Sequence, residues 1–530
     1  EGRHGHRGAH CNACGLCKAG QRALDVLPCQ GRVCHGVELV HREHQRMHAQ
    51  QMGQQAVAAG LGQQGQLGVL PVELGGIDQH HGGVGAGCGG DHVAGVLLVA
   101  RRVGDDVFAC AGAEDVCTPV VRWKGFEQVN INTVGNPEEV TDILWNNCYS
   151  SISACNTTIE LVAQNTNLTA EELSPIDGEA KFLRAFGYFQ LVRWFGEIPL
   201  LTEANQKNAS VEPQAAIADI YKQIVVDLQS AETTLPSKRE DRTRPTSWTA
   251  KSLLAKVYLT MAGFPLNDTS CYALARDKAG EVINEKVYSL ERHFFDLWLY
   301  DNRQTNSEFI FTLYGNSISR TGGYQFRATR PDANGEGGWA DWTSDSRFFD
   351  MFPKGDGSRV KGTFYLTMID GTPWEQTNTA QPYVGKLRDA GPASGGYYNA
   401  PIGSGQNADG FYCMLRYSDI LLIYAEAANL AEGSPSQKAY DALNEVRRRA
   451  GLPELSGLTA KQFDDAVLDE RNWELAFECN RWFDLCRRYL LKEKLSPWYP
   501  ESTIDDHNYL LPKPNDQLMI MTGVKQNPGY

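Results

Sequence analysis

The chain has 530 residues, a net charge of −14, 14 Cys and 12 His, an acidic balance without any Lys/Arg-rich run, which excludes nucleic acid as a natural partner. These totals average two unlike pieces: residues 1–119 hold 8 of the Cys, 10 of the His and 23 of the 52 Gly, with no Ser and one aromatic, Phe108. The longest wholly apolar run, Val93 to Ala100, is too short to cross a bilayer as a helix.

Residues 1–119 carry the motifs most easily noticed. Cys11, Cys14 and Cys17 form CNACGLC, with Cys29, Cys34 and several His nearby. Thiolates two residues apart can share zinc or an iron–sulfur cluster, but no fourth ligand falls at a standard spacing. Gly85, Gly87 and Gly90 match G-x-G-x-x-G, yet the preceding QHHGGV is no strand, which the dinucleotide fingerprint requires. One aromatic in 119 residues leaves little apolar area to offset backbone entropy. The composition fits a GC-rich gene translated in a wrong frame; a metal-binding domain and a disordered tail are the other readings. The segment 1–119 is expected to be non-native or disordered, no export signal is visible at Glu1, and the protein is read from about Thr118. No metal or cofactor is expected.

From Glu138 the apolar period is helical. Phe182, Ala185, Phe186, Phe189 and Val192 make one stripe, with Ala180 and Gly187 small enough for close helix contact. Ile217, Ile220, Tyr221, Ile224, Leu228 and Ala231 make a second. Ala250, Leu253, Leu254, Val257, Tyr258 and Met261 make a third, with Thr246 or Ser247 as its cap. Ala275, Ala279, Val282 and Ile283 mark a fourth. Past an interruption, Tyr417, Leu421, Tyr424, Ala425 and Ala428 lead to Gly433, and a helix restarts at Ser434 and Pro435 with Ala439, Leu443, Val446 and Ala450 inside. The pattern predicts a last helix from Ala460 to Arg488. The fold class is mainly α, with tetratricopeptide-like helical pairs. Cys148 with Cys155, and Cys479 with Cys486, are spaced to fill one helix face each.

The interruption, residues 302–410, holds 17 Gly and 16 aromatics. A loop this long inside a compact domain is usually functional. Rings scattered among Gly and Asn suggest presentation at a surface; the competing reading is a satellite core under the loops.

Five ordered strings then carry a resemblance: RAFGYFQLVRWFGEIPLLTE (184–203), NSEFIF (306–311), RYSDILLIYAEAAN (416–429), LDERNWELAFECNRWFDLCR (468–487), and LLPKPNDQL with the terminal KQNPGY (525–530). Together they resemble SusD/RagB-type proteins, the surface glycan-binding lipoproteins of Bacteroidota. Cys479, Asn480 and Cys486 depart from the family's usual Gly and basic residues. The resemblance implies a SusD-like fold with a truncated amino-terminal helical region at 120–270 and a RagB/SusD carboxy-terminal region with the ligand loops at 271–530. It implies oligosaccharide or polysaccharide as ligand, a SusC-like TonB-dependent transporter as partner, and the surface of the outer membrane as location. No Cys of the chain can be named as the family's lipid anchor, and the amino-terminal share of the binding surface is expected to be lost.

Pyranose C–H faces stack on Trp and Tyr rings, while polar side chains meet the hydroxyls. On the resemblance, part of the site falls after NSEFIF, so the candidates are Trp339, Trp342, Tyr324 and Arg327, followed by Trp374, Tyr397 and Asn399. Three other readings stay open. A peptide-binding relative would show acidic residues around the aromatic loops. A helical-repeat scaffold that binds only protein would bury Trp339 and Trp342. A glycoside hydrolase would use Glu470, Glu474 or Glu478. Their four-residue spacing on one expected helix, beside Arg471 and Arg481, reads instead as structural ion pairing. After residue 119 only His293 and His507 remain and no G-x-S-x-G elbow occurs, so no enzyme is expected.

Overall fold

The computed structural model describes residues 137–315, 324–332, 334–389 and 410–530, together with Val116–Cys117. The cysteine and glycine motifs of residues 1–115 lie outside the described residues.

Helix α1 (Pro137–Gln164) is followed by α2 (Ala170–Phe195), whose start is fixed by a capping box. Thr169 Oγ1 accepts from the Glu172 amide at 3.3 Å, and the Glu172 carboxylate accepts from the Thr169 amide at 2.9 Å. From Gly178 onward α2 is buried almost all round, so it is a central helix flanked by α1 and by α3 (Ile217–Thr234). A Cβ on Gly187 would lie 3.2 Å from Ile152 Cγ1 of α1, so the small residue sets that close approach, as its spacing suggested. Arg184 of α2, itself buried, bonds both Asp227 oxygens of α3 at 2.7 and 2.8 Å.

The array continues through α4 (Ser247–Met261), capped by Thr246, and α5 (Cys271–Glu285), each packed on its predecessor. Among its described residues the insertion adds three short helices: α6 (Tyr324–Ala328), α7 (Ser346–Asp350) and α8 (Gly357–Thr363). Beyond it, α9 (Tyr417–Glu432) returns to pack on α5 and carries α10 (Gln437–Ala450) and α11 (Ala460–Glu474). Three helices close the chain: α12 (Arg481–Arg487), α13 (Leu491–Leu495) and α14 (Asn515–Ile520). The mainly helical fold expected from the periodicity is therefore present.

Strands are few and paired antiparallel: β1 (Val116–Cys117) with β5 (Thr343–Ser344), β2 (Ile198–Pro199) with β3 (Gln214–Ala215), β4 (Phe309–Tyr314) with β8 (Phe411–Arg416), and β6 (Phe364–Tyr365) with β7 (Tyr383–Val384). The β4–β8 ribbon sets Tyr314 opposite Phe411 and Phe309 opposite Arg416. It thereby clamps the two ends of the aromatic-rich insertion together.

The terminal string has a mechanical role. The Asn527 amide donates to the carbonyls of Phe195 at 3.1 Å and Leu511 at 2.7 Å, and the Leu511 amide donates to Trp194 O at 2.7 Å. These bonds satisfy carbonyls that the end of α2 would otherwise leave unpaired.

Three expectations need correction. Helix α10 begins at Gln437, because Ser434 and Pro435 are used in turning the chain back from α9. The last helix is two helices: α11 ends at Glu474, and Phe477 (φ 60°) and Cys479 (φ 56°) take left-handed conformations before α12. The Glu474 carbonyl is taken by Lys386 Nζ at 3.0 Å and by the Arg416 guanidinium at 2.5 Å, so the helical ladder stops there. Cys479 consequently does not share a helix face with Cys486, whereas Cys148 and Cys155 are buried core residues of α1.

Candidate functional site

The site is built on the turn Asn334-Gly335-Glu336-Gly337-Gly338. Asn334 (φ 59°), Gly335 (φ 76°) and Gly337 (φ 74°) all take left-handed conformations, which glycine and asparagine tolerate best. The turn folds residues 338–342 back along 327–331. The amides of Gly338, Trp339, Ala340 and Trp342 donate to the carbonyls of Pro331, Arg327, Arg330 and Ala328 at 2.8, 2.9, 2.8 and 3.0 Å. A Cβ on Gly338 would lie 2.2 Å from Arg330 O, so this ribbon closes only with glycine there.

The ribbon brings Arg327 to Trp339. The guanidinium carbon lies 5.0 Å from the indole centroid, within cation–π range. Both side chains are half-buried, so each keeps part of its surface in water. Trp342 departs from expectation: it is 1 % exposed and packed in the main core, where it cannot stack on a ligand. Only Ala340 and Asp341 lie between the two rings, yet one is buried and the other stays half-buried at the rim.

Glu336, in the middle of the turn, points inward and is fully buried. Its carboxylate accepts from Tyr365 Oη at 2.7 Å, the Ile369 amide at 2.9 Å and the Arg388 guanidinium at 2.6 Å. Burial raises its carboxyl above the usual range, opposed by the Tyr365 hydrogen bond. Arg388 also lies over the Tyr365 ring, 4.4 Å from its centroid. Asn334 extends the brace, its amide donating to Asp370 at 2.8 Å and Thr372 Oγ1 at 3.2 Å. Sequence reasoning did not single out Asn334, Glu336 or Arg388; the Asn-Gly-x-Gly-Gly run was the available signal for a tight turn.

Trp374 stands on the neighbouring loop, half-buried against a small cluster that includes Ala340, Tyr365 and Tyr383. Its ring centroid is 6.0 Å from that of Phe349, at 63°. The structure thus brings together Arg327 and Trp339, and ties Trp374 to them through Ala340. Tyr324 opens α6, but its side chain, Tyr397 and Asn399 lie outside the described residues. Other rings of the insertion are buried: Tyr365 and Tyr383 form a small satellite core with Ala340 and Met368, while Phe348 and Phe364 join the main core.

Below the loops lies a buried lattice of charges. Arg416 pairs with Glu308 at 2.7 Å, Glu474 at 2.5 Å and Glu478 at 2.8 Å. Arg359, which is wholly buried, pairs with Asp356 at 2.5 Å and Glu470 at 2.6 Å, and reaches Glu474 at 3.3 Å. Arg449 joins Glu308 at 3.1 Å and also contacts Glu474, and Lys386 joins Glu478 at 2.6 Å. Burial alone would raise the Glu474 carboxyl, but Arg449, Arg416 and Arg359 hold it well below the usual range. A glycosidase acid must hold a proton near neutral pH and face a cleft. Glu470 and Glu474 are sealed and saturated with cations, and Glu478 is buried between Lys386 and Arg416. All three carboxylates are engaged in ion pairs, but across the fold instead of along the one helix expected: Arg471, the expected partner of Glu474, pairs with Asp419 and Asp484, each at 2.8 Å. Among the described residues no group of His, Cys, Asp and Glu is arranged to hold a metal ion.

A profile described as the SusD family matches residues 370–530, and one described as starch-binding associating with outer membrane matches residues 118–259. SusD-like protein P2 of Formosa agariphila is 30 % identical over 440 residues, covering 76 % of this chain and 83 % of that protein. Among solved structures, a SusD homolog from Bacteroides thetaiotaomicron superposes with a TM-score of 0.71 at 23 % identity, covering 83 % of this chain and 96 % of that one. A laminarin-binding SusD-like protein superposes with a TM-score of 0.68 at 22 % identity, covering 83 % and 98 %.

Proposed function

The chain belongs to the SusD family, and from that premise we propose that it is a non-catalytic, cell-surface glycan-binding protein which captures oligosaccharide or polysaccharide and passes it to a SusC-like TonB-dependent outer-membrane transporter. One family description couples starch binding with the outer membrane, and one structural relative is named for binding laminarin. Attachment through a lipid anchor is proposed on the family likeness alone; no helix among the described residues is long and apolar enough to cross a membrane.

The observation that carries this reading is the Trp339–Arg327 pair on its braced turn. A half-open indole offers a face for a pyranose ring, and the guanidinium beside it offers donors for hydroxyls. Trp374, Tyr324, Tyr397 and Asn399 complete the proposed surface. Such a shallow site gives modest affinity and fast release, which suits a protein that must hand its ligand on. The protein-scaffold reading gains Trp342, whose burial it requires, but loses Trp339, which keeps a solvent-facing part.

Calorimetry of the full chain against neutral and acidic polysaccharides, with reducing-end release followed in parallel, tests the proposal. Binding without release is expected, and it weakens in Trp339→Ala. Release of sugar ends that disappears in Glu474→Gln would replace the proposal with the hydrolase reading.

A further inference from the structure

A second aromatic surface shares no residue with the Trp339 site. Helix α12 ends in a two-bond reversal: the Leu490 amide donates to Leu485 O at 2.8 Å and the Tyr489 amide to Cys486 O at 3.0 Å. This geometry forces the intervening residue into the left-handed region, where glycine is the usual occupant. Helices α9 and α10 follow that rule, with Gly433 (φ 73°) and Gly451 (φ 80°) past their ends. At the end of α12 the residue is Tyr489 (φ 53°), a bulky side chain in a conformation that disfavours it.

The ring at this strained position is 48 % exposed. It lies nearly parallel to Tyr509, 4.7 Å between centroids and 17° between planes, and Tyr509 is buried. Phe264 closes one side, its ring centroid 4.9 Å from that of Tyr489 and 5.3 Å from that of Tyr509. The Phe264 amide is itself fixed to Arg487 O at 2.8 Å. The Tyr489 hydroxyl donates to the carboxylate of Asp506, which is exposed, as is its neighbour Asp505. The ring is therefore held by a stack, an edge contact and a hydrogen bond, and ordering it costs nothing further when a ligand arrives.

We infer that Tyr489 is a second glycan-contacting platform, on which a pyranose ring of a neutral polysaccharide stacks while Asp506 accepts from its hydroxyls. The exposed Asp506 carboxylate selects against uronate or sulfated sugars, which it repels, while Asp505 beside it is engaged by the His507 ring and faces the charge of Lys492. The inference rests on the glycan-binding reading and extends it. A weak second contact adds affinity only for chains long enough to engage both platforms, because the second contact is then intramolecular.

The test uses the full chain, with laminarin, amylose and xylan as neutral polymers, alginate as the acidic one, and hexasaccharides of the same sugars. Tyr489→Gly removes the ring while supplying the residue the helix end prefers, so the variant stays folded. Five- to tenfold weaker binding of the neutral polymer, with hexasaccharide binding at the Trp339 site unchanged, is the expected result. Unchanged polymer affinity in Tyr489→Gly, with or without a lower melting temperature, would show that the ring serves packing alone and overturns the inference. Tighter binding of alginate than of any neutral polymer also overturns it. An effect of Tyr489→Gly with none of Trp339→Ala overturns the Trp339 reading alone, and silence of the wild-type chain towards every polymer overturns both.

Discussion

Arg416 and Glu474 form an ion pair in which the side chains are 1 % and 0 % exposed. One residue closes the β4–β8 ribbon of the insertion and the other ends α11, so the pair bolts the loop region to the helical array. Two charges taken out of water gain stability only when all their partners are present. Glu474→Gln leaves Arg416, Arg359 and Arg449 short of a carboxylate, and the expected loss is about 3–5 kcal/mol. Urea unfolding measures it. An unchanged midpoint would mean that Glu474 is not part of the fold's support.

The same lattice sets the response to acid. Burial alone would raise the carboxyls of Glu474, Glu426 and Asp419. Arg449, Arg416 and Arg359 for the first, Arg487 and Arg488 for the second, and Lys256 and Arg471 for the third hold them far below their usual range. A carboxyl whose folded value is depressed contributes stability that is complete above its unfolded value of about 4 and is lost as pH falls towards the folded one. Melting temperature is therefore expected to fall steeply below about pH 4, and less steeply in Glu474→Gln.

Lys386 acts in the same direction, but in the alkaline range. Burial pushes its amine down to about 8, against the pull of Glu478. Between that value and the unfolded value of about 10.4 the unfolded chain binds more protons, so this group makes stability rise with pH. Comparing wild type with Lys386→Met across pH 7.5–10.5, the difference should move in favour of wild type by on the order of 2–3 kcal/mol at alkaline pH. A flat difference would contradict the assignment.

The two tryptophans separate folding from binding. Trp342→Ala empties a core position and should cost about 3–5 kcal/mol. Trp339→Ala should leave the melting temperature within a few degrees and weaken glycan binding by about 1–2 kcal/mol, roughly tenfold. Parallel melting and binding curves read both. Equal loss of stability in the two variants would place Trp339 in the core as well.

The turn beneath Trp339 can be tested apart from its ring. Gly338→Ala drives a methyl against Arg330 O, where the ideal contact would be 2.2 Å, so the ribbon must open. Glycan affinity should fall at least as far as in Trp339→Ala while the global unfolding midpoint shifts less than in Trp342→Ala. Retained affinity would show that the ribbon does not set the position of the ring.

Helices α2 to α5 and α9 were legible because their apolar positions repeat at helical spacing, and several ends carry Thr, Gly or Pro signals, as at Thr246 and Gly433. The end of α11 was not, because distant Lys386 and Arg416 capture the Glu474 carbonyl and no local residue announces them. The distinction between Trp339 and Trp342 was hidden for a related reason. It depends on the left-handed turn at Asn334 to Gly337 and on Glu336 anchoring that turn from inside. Carboxylates spaced four apart suggested pairs within one helix, yet the partners Arg359, Arg416 and Arg449 come from elsewhere in the fold.

The most direct measurement is isothermal calorimetry of wild-type and Trp339→Ala chains against one neutral polysaccharide, with reducing ends counted in the same samples. The expected result is saturable binding by the wild type, about tenfold weaker binding by the variant, and no new reducing ends in either. Equal affinity of the two chains, or release of reducing ends by the wild type, would contradict a binding protein that works through Trp339.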